Sequence, residues 1–196
     1  MKKLTKKSVL VLGLFVSALT FANGEVKPIK EKEPNVTSMS FKKVELGSKL
    51  SIKDRDGIVL YKESIVKAGT YSKGFDLTTL PNGDYYFELD SELKIVIIPF
   101  NVVSNQVEFK KEDKSTIFKP YIRVKDKMVF LSRVSYEESP IEFNIYYAEN
   151  YDLVLSEKVE NQAHLKKIYD FSKAKKGNYL FVFKSNGRKF TKTVKI

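Results

Sequence analysis

The sequence contains no cysteine, no tryptophan and a single histidine among its 196 residues. Without cysteine the chain can form neither a disulfide nor a thiolate metal site, and it has no thiol nucleophile. One histidine, His164, cannot build a multi-histidine metal site, and we interpret it as a surface residue of a strand. G-x-S-x-G, H-E-x-x-H and glycine-rich phosphate motifs are also missing. We therefore expect a protein that is not an enzyme and that binds no cofactor.

Acidic residues cluster in three places where a site could be suspected. The turn Asp54-Arg55-Asp56-Gly57 lacks the further oxygen ligands and the terminal glutamate of a calcium-binding EF-hand loop, so a hairpin turn is the better interpretation. Glu137-Glu138, or Asp84 with Asp90, could serve as the paired carboxylates of a hydrolase, although their spacing matches no such site. A hydrolase that uses such surface carboxylates remains a hypothesis beside the two that are given at the end of this section.

The one long apolar run of the sequence lies at its N terminus, after four lysines. This run, residues 9–22, is too short to span a bilayer comfortably, and it ends with small residues at Thr20 and Ala22. The pattern predicts a signal peptide over residues 1–22 with cleavage after Ala22, and an uncleaved anchor is the alternative. We expect an exported protein, periplasmic or extracellular at the cell surface, with no transmembrane anchor after cleavage.

The positive charge of the chain decreases but persists when the predicted signal peptide is removed. Residues 1–22 contain four lysines and no acids, so the remaining 31 basic and 24 acidic residues leave a net charge of +7. These basic residues are scattered along the chain, whereas a nucleic-acid interface gathers them on one face. The charge is typical of a soluble protein that is attracted to an anionic cell surface, and we expect no nucleic-acid partner.

After a polar segment, residues 23–35, that we predict to be a flexible leader, the chain alternates apolar and polar residues as strands do. The hydrophobic spacing of a helix is not convincing anywhere in this region. The predicted strands are 36–44, 48–54, 57–65, 70–77, 83–90, 93–102, 116–125, 128–136, 140–147, 151–159, 164–171, 178–184 and 188–195.

The two halves of the sequence repeat one another. FDLTTLPNGDYYFEL at Phe75–Leu89 matches YDFSKAKKGNYLFVF at Tyr169–Phe183 with a shift of 94 residues, and the register holds without a gap from residue 59 to about residue 90. Such agreement indicates duplication of one β domain. We predict an all-β fold of two tandem immunoglobulin- or fibronectin-III-like antiparallel β-sandwiches, over residues 36–105 and 106–196. The 25 phenylalanines and tyrosines would fill the two small cores.

The repeated segment also predicts a structural device in each half. Tyr85 and Tyr179 stand at the start of a strand, two residues after Gly83 and Gly177, where a tyrosine corner ties a crossing loop to the sandwich. Pro81 and Asn82-Gly83 are suited to the turn before Tyr85 because proline fixes φ and the other two tolerate positive φ. Gly57 is assigned to a hairpin turn.

The string IKDRDGIVLYKESIVKAGTYSKGFDLTTLPNGDYYFEL, residues 52–89, resembles a β-sandwich module of secreted Bacteroidetes proteins. The shared pattern runs from an apolar strand through Asp-Gly and a Val-rich strand to Asp-Leu-x-x-Leu-x-x-Gly-x-Tyr. It resembles the C-terminal sorting domains of type IX secretion cargo and related immunoglobulin-like domains of unknown function. The second half matches more weakly, because Ala174 and Lys175 replace Leu80 and Pro81. The resemblance implies a sandwich fold and possible recognition by the type IX secretion machinery.

These observations favour an exported, non-enzymatic binding or structural module of the bacterial cell envelope, with a protein or glycan partner. The alternative is a type IX secretion cargo whose C-terminal domain is the sorting signal. Tyr147 and Tyr151 are the candidates for a partner surface, although an ordinary sandwich surface explains them as well. Basic residues of the last strand would prevent pairing between sheet edges: Arg188, Lys189, Lys192 and Lys195.

Overall fold

The computed structural model describes residues 28–30, 36–160 and 162–196. In these ranges the chain forms sixteen strands and one 3-10 helix, Lys111–Asp113, and every strand pair is antiparallel. The strands are β1 Pro28–Lys30, β2 Thr37–Val44, β3 Lys49–Asp54, β4 Val59–Ser64, β5 Gly69–Phe75, β6 Gly83–Asp90, β7 Lys94–Val103, β8 Gln106–Phe109, β9 Ser115–Phe118, β10 Tyr121–Lys125, β11 Met128–Val134, β12 Ile141–Tyr147, β13 Asp152–Val159, β14 His164–Asp170, β15 Asn178–Ser185 and β16 Arg188–Lys195.

The first sandwich consists of a three-stranded sheet facing a larger one. The small sheet has the order β1-β2-β5, and the large sheet has the order β4-β3-β6-β7-β8 with β9 also paired to β7. Alternate residues of both sheets form one buried core. The rings of Phe75 on β5 and Phe87 on β6 meet across this core with their centroids 5.3 Å apart.

The second sandwich repeats this plan with sheets β10-β11-β14 and β13-β12-β15-β16. Its core is separate from the first and is formed by apolar residues of all seven strands and their loops. Phe87 and its repeat equivalent Phe181 are both completely buried. The predicted all-β fold of two tandem sandwiches is therefore confirmed. No helix in the described residues is long and apolar enough to cross a membrane.

An ion pair joins the two sheets at one open edge of the first sandwich. Lys73 on β5 donates to Glu63 on β4 at 2.5 Å and to the hydroxyl of Tyr61 at 2.7 Å. The hydroxyl of Tyr61 in turn donates to Glu63. Since β4 and β5 belong to different sheets, these contacts close the edge of the sandwich with polar groups.

The second sandwich has the same closure at equivalent positions, 94 residues later. Lys167 on β14 pairs with Glu157 on β13, and the hydroxyl of Tyr169 donates to Glu157 at 2.9 Å. The hydrogen bond from Lys167 lowers the pKa of Glu157, and burial together with this carboxylate raises the pKa of Tyr169. The glutamate and the lysine therefore occupy equivalent positions in both copies. The tyrosine does not, because Tyr61 lies on the strand of the glutamate and Tyr169 lies on the strand of the lysine.

The strand pairing moves the junction between the sandwiches beyond the predicted boundary at residue 105. Ser104 and Asn105 have φ values of 48° and 60°, as a two-residue type I′ turn requires, and they connect β7 to β8 in a hairpin. Residues 106–109, which we assigned to the second domain, therefore form β8 and extend the large sheet of the first sandwich. A linker and an edge strand with a polar outer face have similar compositions.

The predicted strand 116–125 is two strands, one in each sandwich. Its first part, β9, pairs with β7, and its second part, β10, pairs with β11. Lys119 and Pro120 lie between them, and proline lacks the N–H that a continuing ladder needs. Residues 106–118 thus pair with the first set of strands, and the second set starts at Tyr121.

The predicted leader, residues 23–35, also contains a strand. Pro28–Lys30 forms β1 at the edge of the small sheet and pairs with residues 37–39 of β2. This ladder uses main-chain groups, so polar side chains do not prevent it, and proline is tolerated at the first position of an edge strand. The predicted signal peptide, residues 1–22, lies outside the described residues, as do residues 23–27 and 31–35.

We predict that Phe87→Ala and Phe181→Ala each destabilise their own sandwich by about 3–5 kcal/mol, because each removes a completely buried ring and leaves a cavity. Urea unfolding followed by circular dichroism measures the loss. Ile168→Ala is the control, since this side chain is 60% exposed and its removal should cost less than about 0.5 kcal/mol. Equal losses for buried and exposed positions would contradict the assigned cores.

Candidate functional site

The two tyrosines assigned to corners make equivalent hydrogen bonds. The hydroxyl of Tyr85 donates to the carbonyl of Pro81 at 2.8 Å, and that of Tyr179 donates to the carbonyl of Lys175 at 2.7 Å. In both cases the acceptor lies four residues upstream, in the loop that crosses between the sheets. Both rings are buried, so these tyrosines hold loops in place and offer little surface to a ligand.

The predicted turn residues play different parts. Gly57 has a φ of 85° in the β3–β4 hairpin, where the carboxylate of Asp54 accepts the N–H groups of Asp56 and Ile58. The expectation of positive φ at Asn82-Gly83 is wrong, because neither residue has one. The equivalent glycine, Gly177, has a φ of 150°, and a Cβ there would lie 2.7 Å from the ring of Tyr147. Glycine is needed at this position because other residues rarely adopt this φ and because a Cβ would collide with the ring of Tyr147.

The candidate partner residues Tyr147 and Tyr151 lie in different environments. Tyr147 packs edge-on against Tyr179 with ring centroids 5.4 Å apart, and its hydroxyl donates to the carbonyl of Lys176 at 3.1 Å. Tyr151 is 70% exposed in the following turn, beside the exposed Leu153 and Val154. Tyr147 therefore supports the second corner, and only Tyr151 offers a whole ring to a partner. A partner surface at these residues stays a prediction.

The carboxylates considered for hydrolysis do not form a pair. Asp84 and Asp90 lie at opposite ends of β6, about 20 Å apart along the strand, and each pairs with a lysine, Lys110 and Lys119 respectively. Glu137 lies in a turn, where it accepts from Asn186 at 3.5 Å. His164 is exposed at the start of β14. Among the described residues no group of acids and histidines could hold a metal ion.

The junction between the sandwiches contains a buried carboxylate, Glu88. Its side chain is only 7% exposed and lies on the outer face of the large sheet of the first sandwich. Lys53 of the same sheet donates to one carboxylate oxygen at 2.7 Å, and Arg188 of the second sandwich donates to the other at 2.6 Å. Burial by itself raises the pKa of Glu88, but the hydrogen bonds and charges of Arg188 and Lys53 outweigh it and leave the pKa below its usual value.

The second sandwich holds Arg188 in place through a polar network. Arg188 follows a tight turn at Asn186 and Gly187, so it stands at the tip of the β15–β16 hairpin. Beside the same turn the buried guanidinium of Arg133 donates to the hydroxyl of Ser185, the strand partner of Arg188, at 2.8 Å, and to the carbonyl of Ser139 at 2.8 Å. The hairpin that reaches the first sandwich is therefore anchored to the body of the second.

Sequence reasoning missed Glu88, although the repeat contains a signal for it. The residue 94 positions later is Val182, which is also buried. An acid in one copy and a valine in the other, at a position that is buried in both, indicates that the first copy contacts a charged partner there. Arg188 was predicted to prevent pairing of the edge strand β16, and it instead pairs with Glu88.

A cleft of about 580 Å³ opens beside this ion pair, between the two sandwiches. One wall comes from the end of β6, the following turn and β7, and includes Asp90 and Glu92. The other wall comes from β10 and the β15–β16 hairpin. The second wall carries all the aromatic residues of the cleft and most of its basic ones, namely Tyr121, Phe183, Arg188, Lys189, Phe190 and Lys192.

Comparison with known proteins identifies no family for this chain. No protein-family model matches the sequence, and no curated protein matches it. Solved structures do match. One, a "Biofilm associated protein - BSP domain", is 13% identical with a TM-score of 0.28, and the match covers 84% of this chain and 27% of that one.

Two further structures give similar values. The FN1-FN3 domains of chicken CNTN1 are 10% identical with a TM-score of 0.29, over 83% of this chain and 60% of that one. A tetra-tandem repeat in the extending region of a large adhesion protein is 15% identical with a TM-score of 0.28, over 87% and 47%. This chain spans less than two thirds of each of these structures. Identities and scores this low carry no information about its partners or activity.

We predict that Tyr85→Phe and Tyr179→Phe each destabilise the protein by about 1 kcal/mol, because each removes one hydrogen bond and leaves a loop carbonyl without its donor. Thermal unfolding measures the effect. Tyr136→Phe is the control, since Tyr136 is 76% exposed and should be neutral. A neutral result at both corner positions would show that the crossing loops do not depend on these hydroxyls.

We predict that Arg188→Gln loosens the junction, because Glu88 then keeps only one of its two cationic partners in a buried position. The chain has no cysteine, so cysteines introduced at the exposed Lys62 and Lys166 can be spin-labelled specifically. The distance distribution between the labels should broaden in Arg188→Gln. It should also broaden at low pH: the pKa of Glu88 is lowered by folding, so its contribution is complete above about pH 4.5 and is lost as the pH falls further.

The control for this experiment is Lys158→Gln. Lys158 and Glu160 form a 2.5 Å ion pair that is more than half exposed and lies away from the junction. Removing this pair should leave the label distances unchanged. A junction variant with distances as narrow as those of the control would show that Glu88 and Arg188 do not dock the two sandwiches.

Proposed function

We propose that this protein is an exported, non-enzymatic module of the bacterial cell envelope, in which two docked β-sandwiches present binding surfaces to a protein or glycan. The observation that carries this proposal is the buried ion pair between Glu88 and Arg188. A charged pair of this kind favours one docked orientation over others, because a docked arrangement that covers Glu88 without Arg188 would bury a carboxylate that lacks this partner. A fixed orientation suits a spacer or a two-domain binding platform.

The composition of the cores allows each sandwich to fold without disulfides, so the fold is compatible with export. Each sandwich buries phenylalanines that contact one another, such as Phe87 with Phe100 at 5.3 Å and Phe181 with Phe183 at 6.3 Å. Ring contacts of this kind stabilise small cores. A chain with no cysteine is also insensitive to the redox state of its compartment.

A second candidate function is that of a type IX secretion cargo with a C-terminal sorting signal. It is favoured by one observation, the separate and complete core of the second sandwich, which such a signal would need in order to fold alone. In this proposal the second sandwich would be removed after export. The docked junction favours the first proposal, since a sorting signal that is removed does not need an ion pair to the first sandwich.

The intact mass of the protein in each cell fraction of its native host distinguishes these proposals. The envelope module predicts a mass equal to residues 23–196 in the periplasm or at the cell surface. The sorting proposal predicts a shorter chain, without the second sandwich, at the surface or in the medium. A full-length chain of 196 residues in the cytoplasm would contradict both.

A further inference from the structure

We propose that the cleft between the two sandwiches binds an acidic saccharide, that is, a sugar chain with carboxylate groups. This inference rests on the proposed binding function and names its ligand class. The volume of the cleft, about 580 Å³, lies within the range of about 300–1,000 Å³ that is typical of ligand sites. Its walls come from different sandwiches, so only the docked arrangement forms it.

Two cations in the cleft have no charged partner in the protein. Lys189 and Lys192 on β16 are exposed and line the cleft, and neither makes an ion pair with any residue that the structure describes. The other two cations of the walls are engaged: Arg188 pairs with Glu88 and Lys119 pairs with Asp90. Arg188 joins the two walls, Lys119 pairs within the first sandwich, and the two unpaired lysines are available for carboxylate groups of a ligand.

The cleft also offers an apolar surface next to these charges. The ring of Tyr121 is 48% exposed, and Phe190 is partly buried below the same opening. Aromatic rings with one exposed face can pack against the apolar face of a sugar ring, and the tyrosine hydroxyl remains available to water or to the ligand. Unpaired cations beside exposed aromatic rings match a ligand that has both carboxylates and apolar ring faces.

An acid on the opposite wall favours a saccharide over an acidic peptide. Glu92 is exposed, lines the cleft and makes no ion pair among the described residues. Its carboxylate can only accept hydrogen bonds, which sugar hydroxyls can donate. Glu92 repels carboxylates of either ligand, but a uronic acid residue offers more donors beside each carboxylate, through its ring hydroxyls, than an acidic residue with its single backbone N–H. The net positive charge of the chain would draw an anionic polymer of either kind towards the protein.

Purified protein, residues 23–196, should bind tetrasaccharides of galacturonic, mannuronic or glucuronic acid in isothermal titration calorimetry. The double variant Lys189→Glu/Lys192→Glu should bind at least about tenfold more weakly, because two charge-assisted contacts become repulsive. Tyr121→Ala should also weaken binding, whereas Tyr121→Phe should retain it. Backbone amide shifts in NMR should change around the cleft and leave the distant ends of both sandwiches unchanged.

The matched control is Lys62→Glu/Lys166→Glu, which changes the charge by the same amount at exposed lysines outside the cleft. It should bind within about twofold of the unchanged protein if local contacts dominate over net charge. Equal weakening in both double variants would overturn the site, as would the failure of all three acidic tetrasaccharides to bind folded protein. Equally tight binding of neutral maltotetraose or of tetraglutamate would overturn the ligand class.

The result of this experiment does not depend on whether the proposed function is correct. It uses protein of defined length in solution, so its result does not depend on where the cell places the chain or whether the chain is processed. A periplasmic protein of the expected mass that binds no acidic saccharide would leave the envelope module intact and remove this site. A chain found only in the cytoplasm that binds an acidic saccharide would support this site and contradict the envelope module.

Discussion

The arrangement of the two sandwiches depends on the carboxylate of Glu88. Its position on the outer face of a sheet would normally be solvated, but the hairpin tip of the second sandwich covers it. The charge is tolerated there because Lys53 and Arg188 each bond one of its oxygens. Arg133 bonds Ser185, the strand partner of Arg188, so the hairpin end that covers Glu88 is itself held by the second sandwich. The cleft beside the junction exists because of this docking.

Duplication explains why so much of the molecule is present twice and why the exceptions are informative. Core rings, corner tyrosines and the lysine–glutamate pairs between sheets occur at equivalent positions, since each sandwich must close its own edges and hold its own loops. Glu88 breaks the symmetry, with valine at the equivalent position. The first sandwich also has β8 and β9, which have no counterpart in the second and pair with opposite ends of β7. The difference at Glu88 is found where the copies meet.

The strands could be predicted from the sequence because alternation of polar and apolar residues is a local signal. Most predicted strands agree with the structure within one or two residues, and the tyrosine corners were found because they recur with one spacing. The failures occurred where local composition is ambiguous. The hairpin at Ser104-Asn105 has the composition of a linker, and β1 has no apolar alternation to reveal it. Gly83 was selected because it tolerates positive φ, but it has none, and a Cβ placed there would make only ordinary contact with the ring of Tyr85 at 3.5 Å.

The sequence by itself determined the fold class, the duplication and the strands, because each of these depends on neighbouring residues and on a repeat that can be read in one dimension. Only the tertiary structure decided which residues meet at the junction. Glu88 and Arg188 are 100 residues apart, and each looks like an ordinary charged residue of a strand. In the sequence, Lys189 and Lys192 likewise resemble the many other surface lysines. Only the tertiary structure shows that these two line a cleft. Pairing across sandwiches depends on docking, which no local pattern encodes.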